Sequence, residues 1–157
     1  MEIRRLKSED WADVDRGMAG LHALHVRNRP DVYLPREHVL PEKVFEQMCE
    51  SPDHVLLCAE EGEKMAGFVL ASVRNRSFMA NMLTLYAEEL YVFPEWRRKG
   101  VAAEMMRALE DAGRAHGCVR VDLMVWEFNA AARELYASCG YTCQSRILEK
   151  KLGPETE

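Results

Sequence analysis

The hydrophobic period of the chain changes at Gly100. Before it, apolar runs over 55–59, 65–73 and 83–92 are short, and Glu61-Gly62-Glu63-Lys64 and a polar connection over 75–81 separate them. They read as strands, the first two as a hairpin. After it, Val101, Met105, Leu109, Ala112 and His116 recur at helical spacing, with Met105 and Met106 expected in the core. Gly117 suits a helix stop. Val119, Val121, Leu123 and Val125 then alternate with Arg120, Asp122 and Met124, the pattern of a half-buried strand. A second helix runs from an Asn129 cap through Ala132, Leu135 and Tyr136 to Gly140. Strands gathered ahead of an alternating strand–helix stretch bury their apolar faces best as one mixed sheet with helices on both sides, an α/β (α+β) architecture.

The flanks add to this. Ile3–Leu6 is a strand candidate, and Ser8 is placed to cap a helix that runs towards His25, with Glu9 and Asp10 in its first turn. Asn28-Arg29-Pro30-Asp31 ends that helix. Pro30, Pro35 and Pro41 mark a surface loop, and Glu42–Cys49 is a short helix. Tyr141–Leu152 reads as largely extended, and 153–157 as a short flexible tail. The 157 residues fit one domain, expected over 1–152, large enough for a core without disulfides or metals.

Net charge is −5, which disfavours general binding to nucleic-acid phosphate. No stretch is apolar for long enough to span a membrane, and the N-terminus lacks the apolar run of a signal peptide. Cys49, Cys58, Cys118, Cys139 and Cys143 show no zinc spacing and read as free thiols of a cytoplasmic protein, with Cys58 and Cys118 in the core. No metal is expected.

Two segments carry chemistry. In Leu90-Tyr91-Val92-Phe93-Pro94-Glu95-Trp96-Arg97-Arg98-Lys99-Gly100-Val101-Ala102 a strand ends, a basic turn follows and a helix begins. Unpaired amides and partial positive charge make such a helix start an anion site. Gly100 admits a ligand close to the backbone. In the second segment Tyr136 lies seven residues after Asn129, about two turns, and so shares a helix face with the cap.

Together these segments resemble the GNAT family of N-acetyltransferases. The first resembles its acetyl-CoA pyrophosphate loop. The second resembles its Asn-x-x-Ala-x-x-x-Tyr-x-x-x-Gly-[Phe/Tyr] helix, here Asn129, Ala132, Tyr136, Gly140 and Tyr141. The resemblance implies a mixed sheet of about six or seven strands whose middle strands splay apart to admit acetyl-CoA. It implies that main-chain groups of Leu90, Tyr91 and Val92 pair with the pantetheine arm. Arg97, Arg98, Lys99, Gly100, Val101, Ala102 and Ala103 would hold the pyrophosphate. Asn129 would contact the arm, and Tyr136 would protonate the departing sulfur. Glu88-Glu89-Leu90-Tyr91-Val92 and Val125-Trp126-Glu127-Phe128-Asn129 resemble the spermidine/spermine acetyltransferase-like subgroup. By that match Glu88 is the preferred base and Glu89 a substrate-side acid. Strand alternation lets only one of them point straight into a cleft unless a bulge intervenes.

The implied activity is acetyl transfer to a primary amine of a small molecule by direct attack, in a protein with a possible homodimer and no nucleic-acid or membrane partner. Peptide N-acetylation and a non-catalytic acyl-CoA sensor are the alternatives. The 22–41 region, with His22, His25, Arg29 and Asp31, would wall the acceptor site. It does not match the polyamine subgroup, so the acceptor stays open.

Overall fold

The computed structural model describes residues 1–75 and 82–153. The polar connection read over 75–81 and the tail read over 153–157 fall mostly outside them. Five strands form one sheet in the order β1-β2-β3-β4-β5: β1 (Glu2–Arg5), β2 (His54–Glu61), β3 (Lys64–Asn75), β4 (Leu83–Val92) and β5 (Arg120–Leu123). The first four pair antiparallel and β5 runs parallel to β4. The helices are α1 (Trp11–Asn28), α2 (Glu42–Glu50), α3 (Val101–Ala115) and α4 (Ala130–Ser138).

The strands alternate between two cores, as period-2 side chains must. Val55, Leu57, Val69 and Leu85 face α3, where Met105, Met106 and Leu109 are fully buried. Leu56, Cys58, Phe68 and Leu70 face α1 and α2, against Val14, Met18 and Phe45. Two of the expectations are corrected here. Tyr141–Leu152 forms no strand, so the described residues give five strands, not six or seven. Ile147 and Leu148 in that segment are 88% and 89% exposed, so no apolar burial draws it onto the sheet. Ser8 is not the cap of α1 either. It opens a 3-10 turn, Ser8–Asp10, whose Asp10 carboxylate accepts the Lys7 N–H at 2.7 Å. Arg4 holds the same carboxylate with two bonds of 2.9 Å, anchoring β1 to the start of α1.

Two features of β4 position the site. β5 pairs with it only over Thr84–Ala87, opposite Arg120–Leu123, so among the described residues no strand flanks the last residues of β4 on that side and the sheet opens as a wedge. On the other side the β3 register steps from Leu70↔Glu89 to Ala71↔Ala87, which leaves Glu88 as the extra residue of a bulge.

Candidate active site

A cavity of about 360 Å³ lies at the wedge, walled by α1, the loop after it, β4, the segment following β5, and α4. Glu88, Glu89, Leu90, Asn129 and Tyr136 all line it. The bulge is why both acids can. Without it, strict alternation would send one to the opposite face.

The two carboxylates differ in environment. Glu88 accepts the Ser72 hydroxyl at 2.7 Å and Arg74 Nη2 at 3.2 Å, so a guanidinium on the neighbouring strand compensates its charge. Arg74 is itself stacked 3.7 Å over the Tyr86 ring. Burial, with the Glu88 charge beside it, pushes Glu89 up to about 7. Tyr136 is pushed up to about 12, by burial first and then by Glu89 and Cys139. The cavity thus holds one group that gives up its proton near neutrality and one that keeps it, the division of labour general acid–base chemistry requires.

The helix that carries Tyr136 starts as its sequence indicates. Asn129 Oδ1 accepts the Ala132 N–H at 3.2 Å. After the helix, the Tyr141 hydroxyl donates to Glu110 of α3 at 3.1 Å and fixes the far end.

The segment from the end of β4 to the start of α3 shapes the open edge of the sheet. The Phe93 N–H donates to Ala66 O, so by strand alternation Tyr91 also bonds towards β3, while the N–H and C=O of Leu90 and Val92 face the open wedge. Tyr91 therefore presents a side chain, not main-chain groups: its ring packs on Phe68 and against Gly17 and Gly20 of α1. Gly100 caps α3 in the left-handed conformation (φ 82°), with nothing within 4 Å of where a Cβ would stand. No side chain caps the first-turn amides of Val101, Ala102 and Ala103, since the cap residue is glycine. This open cradle fits a phosphate. Of the basic side chains, Arg97 folds back to donate to Val92 O at 2.9 Å, and Lys99 lies 5.2 Å over Trp96. Arg98 adopts φ 61°, which helps turn the chain into the cradle.

The wall of the cavity formed by α1, the loop after it and the segment following β5 is more aromatic than the sequence indicates. Tyr33, Trp126, His22 and His25 line the cavity with Arg36. Trp126 Nε1 donates to the Tyr33 hydroxyl at 2.9 Å, and His25 stacks on Tyr33 with centroids 5.0 Å apart. Burial, with His22 nearby, holds His25 below its ordinary range. Tyr33 and Trp126 are 93 residues apart, and no local pattern could have paired them. Arg29 and Asp31 bond to each other behind this wall. Among the described residues no cluster of three metal-ligating side chains occurs, and no helix is long and apolar enough to cross a membrane.

The acetyltransferase (GNAT) family profile matches residues 18–141. The chain belongs to that family. It is an N-acetyltransferase by that membership, and acetyl-CoA is the donor the family uses. Among curated relatives, bovine thialysine N-epsilon-acetyltransferase is 30% identical over 56 residues, 36% of this chain and a third (33%) of that protein's length. Acetyltransferase SG1711 of Sodalis glossinidius is 24% identical over 148 residues, 94% of this chain and 92% of the relative. A crystal structure of a variant of the BH1408 protein from Bacillus halodurans superposes with a TM-score of 0.92 at 26% identity, covering 97% of this chain and 99% of that one.

Proposed function

We propose that this acetyltransferase moves the acetyl group of acetyl-CoA onto a primary amine of a small molecule by direct attack in the cavity, with Glu89 as base and Tyr136 as acid. The observation that carries the reading is that a carboxyl titrating near 7 and a tyrosine holding its proton to about 12 line one cavity at the open edge of β4. Its volume of about 360 Å³ suits a small ligand, not a folded partner.

Acetyl-CoA supplies an activated acyl group as a thioester. The amides of Val101, Ala102 and Ala103 at the Gly100 cradle would hold its pyrophosphate, and the outward N–H and C=O groups of Leu90 and Val92 would pair with its arm. Arg97 Nε donates to the Val92 carbonyl at 2.9 Å, a bond that pairing of this carbonyl with the arm would replace. An amine with pKa near ~10 arrives protonated at neutral pH. Glu89 takes that proton. Burial, and after it the neighbouring Glu88 carboxylate that Arg74 pairs with, disfavour the Glu89 anion and hold Glu89 at a useful basicity. The amine nitrogen then bonds to the acyl carbon, an outward amide of β4 stabilises the developing oxyanion, the carbon–sulfur bond breaks, and Tyr136 gives its proton to the leaving sulfur.

The test is to mix the protein with acetyl-CoA and spermidine, lysine, thialysine, an aminoglycoside or a lysine-containing peptide, following thiol release and the acetylated product by mass spectrometry. Turnover of at least one small amine is expected. Tight acetyl-CoA binding with no turnover of any small amine would overturn the reading.

A further inference from the structure

Past Tyr141, whose ring packs on the core, the segment after α4 is not held to the fold by apolar burial at Ile147 and Leu148, which stand almost fully exposed. The shortest ion pair that holds this part of the segment is made by Glu149. Glu149 Oε2 accepts Arg29 Nη2 at 2.9 Å. The same guanidinium donates to Asp31 through Nε at 3.0 Å and Nη2 at 2.9 Å, and lies 4.9 Å over the Trp126 ring. Trp126 in turn donates to the Tyr33 hydroxyl, and both rings line the cavity. Arg29 does not line it. Its side chain is 17% exposed, covered by these partners.

On the acetyl-transfer reading given above, we infer that Arg29 and Glu149 are positioning residues of the acceptor site, through which the C-terminal segment fixes the Tyr33–Trp126 wall that receives the amine. The opposite edge of the wall is set by α1, where a His22 ring nitrogen meets Leu34 O at 2.7 Å and His25 stacks on Tyr33. The Arg29 hub sets the Trp126 edge. An isolated surface ion pair is worth little. A planar guanidinium shared by two carboxylates and laid on a ring is different, because it orients what it touches. The effect falls on geometry more than on stability, and small misplacements of an acceptor cost rate steeply. The donor cradle at Gly100 belongs to α3 and takes no part in this network.

The experiment uses the full chain and the variants Glu149→Gln and Arg29→Gln, with Lys151→Gln as control because its ammonium reaches Asp31 only at 3.9 Å. Glu149 is well exposed, so its variant keeps the fold. The first readout is the Trp126 indole N–H signal, one of three in the chain, assigned with Trp126→Phe. Its shift and its hydrogen exchange should change in Glu149→Gln and Arg29→Gln but not in Lys151→Gln. The second is steady-state kinetics with the fastest amine among spermidine, lysine, thialysine, the aminoglycoside and the peptide. kcat/KM for the amine should fall about tenfold in both variants, while KM for acetyl-CoA stays within about twofold. An unmoved indole signal overturns the assignment, as does a moved signal with unchanged amine kinetics, or an equal loss on the acetyl-CoA side. If no amine turns over in the unsubstituted protein, the acetyl-transfer reading fails, and the acceptor role with it, by a result distinct from any of these.

Discussion

At the scale of single residues, the site works through differences between like groups. Glu88 and Glu89 are adjacent in sequence, yet one faces Arg74 and Ser72 while the other is half-buried without a cation beside it to offset the neighbouring carboxylate. The family resemblance favours Glu88 as base, whereas the proposal assigns Glu89, because burial raises it to about 7. Burial of Glu89 has a stability consequence. Its pKa rises from 4.5 to about 7 on folding, so the folded chain holds the proton more tightly than the unfolded one. Stability from this group is complete below pH 4.5 and is lost as pH rises through about 7, where an anion must stay buried. Glu89→Gln resembles the protonated acid. It should match the parent in urea unfolding near pH 4.5 and exceed it by about 3 kcal/mol at pH 8, on the order of 1.4 kcal/mol per pKa unit. An equal midpoint at both pH values would show that Glu89 is hydrated. Tyr136→Phe should lower kcat at pH 7 by about 10²–10³-fold with acetyl-CoA affinity retained, read by single-turnover kinetics and calorimetry. Because Tyr136 holds its proton to about 12, it should impose no alkaline limb below pH 10.

Among the elements, α3 and its entry turn form the cradle proposed to hold the donor. Gly100 at φ 82° is the residue that lets the helix begin without a side chain over its amides. Gly100→Ala meets no steric obstacle but strains the backbone by roughly 1–2 kcal/mol. It should weaken acetyl-CoA binding severalfold by calorimetry while leaving the core intact. Gly17 is the opposite case: a Cβ there would run into the Phe68 ring. Gly17→Ala should destabilise the fold by about 1–3 kcal/mol through overpacking, measured as a lower urea midpoint. The elements themselves were largely legible. β4 spans the residues its apolar pattern marks, and α3 and α4 start at the glycine and asparagine that punctuate them. The bulge at Glu88 was not, because it is a property of the β3–β4 register and not of either strand alone. The fate of Tyr141–Leu152 was not either. Its β-like composition lacks a described partner strand, and neighbours decide pairing as much as propensity does.

The whole molecule separates two signs of charge across one strand end. A chain of net charge −5 gathers Arg97, Arg98 and Lys99 before α3 and two carboxylates ahead of Leu90. The site that results draws on α1, β4, α4 and the loops between them. Its glycine cradle and tyrosine helix are continuous stretches and could be read off the sequence. The aromatic wall proposed to receive the acceptor joins Tyr33 to Trp126 and Arg29 to Glu149, 120 residues apart, and emerges only when the chain is folded. The measurement that bears most directly on this account is the pH profile of kcat/KM for the best amine, with Glu89→Gln beside the parent. Activity in the parent should rise with pH to a bend near 7, and the variant should lose that bend along with about 10²–10⁴ of rate. A parent with no bend near 7, or a variant that keeps both bend and rate, would contradict it.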